Sequence, residues 1–180
     1  MRVAEVLESE GINAVEISRA HYESWPGMIL GQHKGFIRGQ ITEGSGMSMT
    51  RRRRPAMLAA TPVIERVAER LAAGGEGFNL LQAEQFTAWL DIPVICVGGF
   101  HTRQGMESAI DSGRCDAVSA ARAMIADPFL FKTMQDPIPG RPVCEYRNGC
   151  IARFGGKPID CYVEPIRIQK NHMPQRTEQA

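Results

Sequence analysis

The sequence of 180 residues predicts an α/β fold built on parallel strands. Short apolar runs that suit strands alternate with segments that have the spacing of amphipathic helices. The run PVICV at 93–97 is apolar at every position, as in strands that are covered on both faces. Strand and helix follow one another in units of about 20 to 25 residues, which favours parallel strands joined by right-handed crossovers.

The N-terminal residues predict a helix followed by a strand. Residues 3–11 are expected to be helical and to end at Gly11, with three apolar side chains on one face: Val3, Val6 and Leu7. Residues 13–18 then have the composition of a short strand. Residues 19–54 are rich in glycine and basic residues without a steady period, so we expect an irregular excursion there.

A helical pattern returns between residues 55 and 73. Pro62 is expected to open a second helical segment, since proline inside a helix removes a hydrogen bond. The sequence GGEG at 74–77 interrupts the pattern. Asn79 is a favourable cap for a helix that runs to about residue 90 and whose apolar residues predict one buried side: Leu80, Leu81, Phe86, Trp89 and Leu90.

Residues 93–134 predict two further strands and two further helices. The apolar strand 93–97 is followed by a helix over 103–112, with Thr102 as its cap and Gly113 at its end. A strand over 115–121 and a helix that bends near Pro128 complete the pattern.

Two strand ends carry the residues with the clearest chemical meaning. Gly98 and Gly99 allow a sharp turn and let an anion approach backbone amides without a Cβ in the way. The second strand end offers the small residues Ala120 and Ala121 and the fixed cation Arg122. Neighbouring βα turns of this kind hold phosphate in (β/α)8 barrels, so we predict a phosphate site. In the alternative interpretation the glycines only make a tight turn and Arg122 is only a surface charge.

These residues lie within a segment that resembles a known family. IPVICVGGFHTRQGMESAIDSGRCDAVSAARAMIADPFL is similar to the last two βα units of the old yellow enzyme family of NADH:flavin oxidoreductases, which includes 2,4-dienoyl-CoA reductase-like enzymes. GINAVEISRAHYES resembles the preceding unit, and VCEYRNGCIARFGGKPIDC resembles the cysteine-bearing segment. The resemblance implies a TIM barrel that binds FMN, with the phosphate held by four residues: Gly98, Gly99, Ala121 and Arg122.

The resemblance also implies a reaction. NAD(P)H would give hydride to FMN, which would pass it to an electron-poor small-molecule acceptor. A complete barrel needs about 250 residues, whereas this chain has about three βα units and resembles the C-terminal half alone. We therefore expect an enzyme part that is inactive without its N-terminal half or another subunit.

The resemblance divides the chain into two parts. Residues 1–134 would form the partial FMN-binding barrel, with an irregular helical insertion at about 19–77, and residues 135–180 a cysteine-containing extension and tail. Three parallel strands leave two apolar edges that invite pairing with another chain. Two alternatives stay open: a non-catalytic remnant or partner-dependent interaction module that retains a phosphate-binding half barrel, and a half barrel that takes sugar phosphates.

Two aromatic or titratable residues follow the first strand. His21 and Tyr22 are candidates for contact with the flavin or the substrate, because loops at this position of a barrel can reach both. The alternative is that His21 packs locally beside Tyr22 and Trp25.

Three clustered cysteines raise the question of a metal centre. In the cluster-bearing members of the family, cysteines ligate an iron–sulfur centre, and Cys144, Cys150 and Cys161 match three of those positions. Arg147 stands about where the second thiolate is expected, and a guanidinium cannot ligate iron. The set is therefore incomplete, and the alternative is three reduced thiols.

Composition excludes several other classes. The net charge of +1 gives no electrostatic field that would attract nucleic acid. The run RRRR at 51–54 is interpreted as a solvent-exposed segment that leads into a helix. We expect no membrane span. We also expect a cytoplasmic protein, since five cysteines, an odd number, do not suggest the disulfide framework of a secreted protein. Cys96 and Cys115 are predicted to be small core residues, and residues 165–180 a frayed tail.

Overall fold

The computed structural model of the protein describes residues 2–18, 31, 34–48, 51–71, 74–135 and 141–173. In chain order the elements are α1 (Arg2–Ser9), β1 (Val15–Ile17), α2 (Phe36–Glu43), a 3-10 helix (Ser45–Ser48), α3 (Arg53–Leu71), α4 (Leu80–Thr87), β2 (Val94–Val97), α5 (Arg103–Asp111), β3 (Ala117–Ser119), α6 (Ala121–Ala126), α7 (Leu130–Gln135), α8 (Gly149–Arg153) and α9 (Glu164–His172).

The chain divides into two compact units. Residues 1–30 and 71–121 form the first, which we call the strand unit because its described residues include β1, β2 and β3. Residues 31–70 and 122–180 form the second, which we call the helical unit because helices are the regular elements of its described part. The division at residue 134 inferred from the family resemblance stays a prediction.

The strand unit contains a parallel sheet with the order β1-β2-β3, which confirms the predicted α/β class. In this sheet Cys96 is aligned with Ile17 on one side and with Val118 on the other. Val94 and Cys96 are fully buried on one face of β2, and α4 and α5 pack against the sheet. The side chain of Phe100, which follows β2 in the chain, is also buried.

The two cysteines of the sheet are core residues, as predicted. Cys96 and Cys115 are both buried, and neither takes part in a disulfide. Burial raises the pKa of Cys96 to about 12, which keeps it as an unreactive thiol at neutral pH.

The apolar face of α1 is exposed, and the predicted buried side of α4 is confirmed only in part, because Leu90 is buried while Leu81 and Trp89 are exposed. Val3 and Val6 are 73% and 59% exposed, and Ala4 is the buried residue of α1. The carboxylate of Glu8 accepts hydrogen bonds from two backbone amides just before β2, and this attachment leaves the apolar face of α1 outward. On α4 the small Ala83 packs inward while Leu81 is exposed.

The predicted residues at both ends of α5 are confirmed. The Thr102 side chain accepts a hydrogen bond from the Gly105 amide at 3.0 Å and caps α5. Gly113 has a φ of +68° after the same helix, the left-handed conformation that glycine favours.

In the helical unit, α3 passes through Pro62 without a break, so the predicted second segment is wrong. The proline removes one backbone donor, but the helix is buried on both sides of it, at Thr61, Glu65 and Ala68. The Thr61 hydroxyl also donates to the Met57 carbonyl at 3.0 Å. Tertiary packing therefore outweighs the local cost of the proline.

The predicted irregular excursion is also wrong in part, because residues 36–43 form α2. Three side chains of this helix are buried: Phe36, Ile37 and Ile41. Glu65 of α3 caps it by accepting hydrogen bonds from the amides of Gly35 at 2.8 Å, Ile37 at 2.9 Å and Arg38 at 3.3 Å. A carboxylate from a distant helix thus replaces the local cap that the sequence lacks.

Of three further predictions for the helical unit, two are confirmed and one is wrong in part. The bend near Pro128 is confirmed, since α6 ends at Ala126 and α7 begins at Leu130. Residues 51–53 are exposed at the start of α3, which confirms that this part of the arginine run is solvated. The frayed tail is wrong for residues 164–172, which form α9. Across the described residues, no helix combines the length and apolarity that crossing a membrane requires.

The cap of α2 can be tested directly. We expect Glu65→Ala to lower the free energy of unfolding by about 1–3 kcal/mol, because three amides lose their acceptor in a site where Glu65 is only 9% exposed. Urea titration followed by circular dichroism measures the change. Glu69→Ala, on the exposed side of the same helix, is the matched control and should change stability by less than about 0.5 kcal/mol. Equal losses in the two variants would contradict the capping role.

Candidate functional site

The ends of β2 and β3 meet at one edge of the sheet. Val97 is aligned with Ser119 in the parallel pair, so the residues that follow each strand leave at the same edge. This pairing brings together, within the strand unit, three of the residues predicted to hold a phosphate: Gly98, Gly99 and Ala121.

Both glycines are required by the path of the chain. Gly99 has a φ of +73°, which residues with a Cβ rarely adopt. A Cβ on Gly98 would lie 3.1 Å from the Asn79 amide nitrogen and 3.2 Å from that of Phe78. The tight-turn interpretation therefore explains why glycine stands at both positions. An anion that binds here would use a turn that the path of the chain already requires.

A preceding loop fixes the end of β2. The Asn79 side chain donates from Nδ2 to the Val97 carbonyl at 2.5 Å, and the Gly77 amide donates to the Gly98 carbonyl at 2.6 Å. Asn79 lies at the cap position of α4 but makes no side-chain cap hydrogen bond, which corrects the predicted role. Its amide instead holds the candidate turn in place.

Glu76 is the main polar residue of this edge. Its carboxylate accepts hydrogen bonds from the His101 amide at 2.5 Å, the Thr102 amide at 2.7 Å and the Thr102 hydroxyl at 2.5 Å. His101 Nδ1 lies 3.1 Å from Glu76 Oε1. The side chain is 19% exposed, and its charge lies at the N-terminal end of α5, where the helix dipole favours it.

These contacts set the protonation of Glu76. Partial burial raises its pKa, but the hydrogen bonds from Thr102 and from the two amides lower it by more, and the pKa lies below the ordinary 4.5. Glu76 is therefore ionised at neutral pH. Because the amides of His101 and Thr102 donate to this carboxylate, they are not available to an anion.

Arg122 directly follows Ala121 in the chain, and its side chain belongs to the helical unit. The guanidinium carbon lies 4.5 Å from the centre of the Tyr146 ring, and Nη1 donates to Asn148 Oδ1 at 2.6 Å. Both partners are buried and have positive φ values, 52° for Tyr146 and 57° for Asn148. Arg122 thus organises the cysteine-bearing segment as well as being a candidate for anion binding.

The cysteines of that segment are free thiols, of which Cys161 is buried and Cys144 and Cys150 are half-buried. Cys161 packs with Ala126 and Ile166, and Cys144 lies against this cluster. Burial raises the pKa of both Cys144 and Cys150, although Arg122 opposes the effect. No group of three His, Cys, Asp or Glu side chains suitable for a metal ion occurs in the described part of the chain. The geometry therefore gives no support to an iron–sulfur centre at Cys144, Cys150 and Cys161.

Sequence reasoning found some of these residues and missed others. His21 and Tyr22 lie outside the described residues. The roles of Glu76 and Tyr146 were not anticipated. The sequence gives a weak indication of the role of Glu76, because it is a carboxylate in a glycine-rich turn next to a helix. Asn148 is of a residue type that tolerates positive φ. Tyr146 has no local signal, because its role depends on a residue that is distant in sequence.

Comparison with known proteins gives two relatives, both named as oxidoreductases. The chain is 28% identical over 134 residues, 74% of its length, to the NADH-dependent flavin oxidoreductase iliE of Hypocrea jecorina (strain QM6a), and covers 26% of that protein. It is 36% identical over 76 residues, 42% of its length, to 4,4'-dithiodibutanoate disulfide reductase of Rhodococcus erythropolis, and covers 19% of that protein. The chain thus spans about a quarter or less of the length of these relatives. No protein-family profile and no solved structure matches it.

The names of both relatives agree with the coarse prediction of an oxidoreductase. The flavin and NADH belong to the name of the Hypocrea protein.

Glu76 provides a prediction with a defined pH dependence. We expect Glu76→Gln to lower the free energy of unfolding by about 1–2 kcal/mol at neutral pH, because charge-assisted hydrogen bonds are lost. A carboxyl group with a lowered folded-state pKa stabilises fully above its unfolded pKa and loses this effect as the pH falls through the folded value. The difference between the two proteins should therefore shrink as the pH drops below about 4.

Urea titrations across this pH range measure that difference. Glu107→Gln, which removes an exposed carboxylate paired with Arg103 on α5, is the control and should change stability by less than about 1 kcal/mol. A difference for Glu76→Gln that stays constant down to about pH 3 would show that its charge is not what stabilises the turn.

Proposed function

We propose that the chain is the FMN-binding C-terminal part of an NAD(P)H-dependent flavin oxidoreductase of the old yellow enzyme type, inactive without the rest of the barrel. The observation that carries the proposal is the parallel pairing of β2 with β3, which brings two βα turns to one edge. Turns of this kind hold phosphate in (β/α)8 barrels. The similarity to an NADH-dependent flavin oxidoreductase over 74% of the chain supports the same assignment.

In this proposal the backbone provides most of the phosphate site. The amides of Gly98, Gly99 and Ala121 donate to phosphate oxygens, and the missing Cβ atoms of the glycines allow close approach. Arg122, next in the chain to Ala121, supplies the positive charge, and a guanidinium suits a phosphate because it offers several donors in one plane. Its contacts with Tyr146 and Asn148 lie within the helical unit.

The reaction itself belongs to the bound flavin, which would take hydride from NAD(P)H and deliver it to an electron-poor acceptor. The residues of this chain hold and orient it. Glu76 contributes by fixing the turn at His101 and Thr102, so it is a positioning residue. The three strands among the described residues form less than half of a barrel of eight, so we propose that the other strands and the acceptor site come from elsewhere.

A second candidate is a partner-dependent interaction module without catalysis. The exposed face of α1, with Val3 and Val6 largely outside the core, favours this alternative because an apolar surface of this kind commonly marks an interface. It predicts a colourless protein that shows no phosphate-dependent flavin binding.

The two candidates are separated by comparing FMN with riboflavin, which lacks the phosphate. We expect the purified chain to bind FMN more tightly than riboflavin, and Arg122→Ala to weaken FMN binding by about tenfold or more while leaving riboflavin binding unchanged. Flavin fluorescence titration measures both affinities. In a reconstituted enzyme, Arg122→Ala should reduce flavin retention more than the rate of single-turnover flavin reduction.

Two variants serve as controls. Asn148→Ala removes a partner of Arg122 but keeps the cation, so it should preserve most of the preference for FMN. Arg103→Ala removes an exposed cation of α5 and should have no effect on either flavin. The proposal fails if FMN and riboflavin bind equally well to the wild-type chain, or if Asn148→Ala and Arg122→Ala weaken FMN binding to the same extent.

A further inference from the structure

We propose that the helical unit contains a second anion site, a cleft that binds a small organic phosphate of about nucleotide size. The cleft has a volume of about 440 Å³ and lies between α2 and the segment 147–165. Small-molecule sites commonly have volumes of about 300–1,000 Å³. All of its lining residues belong to the helical unit, so this inference does not rest on the proposed flavin site.

The charges around the cleft are unbalanced. Four cationic residues and two acidic residues line it: Lys34, Arg38, Arg147 and Arg153, with Glu43 and Glu164. Both acids are paired: Glu43 with Arg153 of the lining and with Lys157 outside it, and Glu164 with Arg167 outside it. Glu43 contacts Arg153 Nε at 3.0 Å and Lys157 Nζ at 2.6 Å, and the hydrogen bond from Lys157 lowers the pKa of Glu43. Glu164 contacts Arg167 at 2.7 Å.

The pairing leaves two cations for a ligand. Arg147 is paired with Glu145 at 2.6 Å, outside the lining of the cleft. Within the part of the chain that the structure describes, no ion pair joins Lys34 or Arg38 to a carboxylate. An anion that enters the cleft would therefore meet a net positive field that existing carboxylates do not cancel.

Helix stability does not explain the position of these cations. Lys34 precedes α2 and Arg38 lies in its first turn, where the helix dipole disfavours positive charge. The amides at this end of α2 already serve Glu65, which is buried in the helical unit. The attraction for a ligand thus comes from the side chains of Lys34 and Arg38.

The walls of the cleft indicate an organic ligand. Val163 and Pro165 give it an apolar part, and the Tyr162 ring lies 4.7 Å from the guanidinium carbon of Arg153. The guanidinium of Arg38 can donate two hydrogen bonds to the oxygens of one phosphate. A molecule with a phosphate group and a less polar body matches both parts of the lining.

The test uses ADP as a phosphate-bearing probe, with adenosine and inorganic pyrophosphate as its two halves. Isothermal titration calorimetry on the whole chain at constant, low ionic strength should show one site for ADP and none for adenosine. Pyrophosphate should compete with ADP, because the cleft recognises the phosphate. Arg38→Glu should weaken ADP binding at least tenfold, whereas Arg66→Glu, the same charge change on the exposed side of α3, should change it less than twofold.

Two further comparisons keep this site distinct from the flavin site. Arg38→Glu should leave FMN binding unchanged, and Arg122→Ala should leave ADP binding unchanged. Arg38→Gln repeats the test without reversing the charge, in case Arg38→Glu unfolds the helical unit. Absence of ADP binding, equal effects of Arg38→Glu and Arg66→Glu, or an ADP affinity that follows Arg122→Ala instead would each overturn the proposal.

Discussion

The parallel pairing of β2 with β3 is the constraint on which the candidate site depends. Because Val97 is aligned with Ser119, two turns that are distant in sequence leave the sheet at one edge. The register is fixed by burial, since Val94 and Cys96 are fully buried and a slip of one residue would turn both to the opposite face. The position of the two turns at this edge thus follows from a packing requirement inside the sheet.

Carboxylates from distant segments stabilise both units in the same way. Glu76 accepts three hydrogen bonds at the start of α5, and Glu65 accepts three at the start of α2. Each joins parts of the chain that lie about 25 to 30 residues apart and places a negative charge at a helix N-terminus. These non-local caps allow a glycine-rich turn and a helix without a local cap to hold defined positions.

Local signals predicted the elements whose cause is local. The uniformly apolar strand β2, the Thr102 cap and the break near Pro128 depend on residues within a few positions of one another, and all three were confirmed. The path of α3 through Pro62 could not be predicted, because burial on both sides of the proline outweighs the lost hydrogen bond. In the candidate site the glycine pair was visible in the sequence, whereas the partners of Arg122 were not, since Tyr146 and Asn148 approach it only in the folded helical unit.

Glu76 limits how tightly a phosphate can be held at the edge of the sheet. At an illustrative separation of about 8 Å, two unit charges of the same sign repel by about 2 kcal/mol at an effective dielectric constant of about 20, a factor of about 30 in affinity. One hydrogen bond from a backbone amide to a charged oxygen contributes about 1.5–3 kcal/mol, so the first such bond does little more than offset the repulsion. Under the flavin proposal, contacts with the flavin ring supply the affinity that FMN and riboflavin share, and the remaining amides with Arg122 supply the added preference for FMN. On the same proposal the two turns orient the phosphate end of the cofactor, and the rest of a barrel would add contacts to the ring.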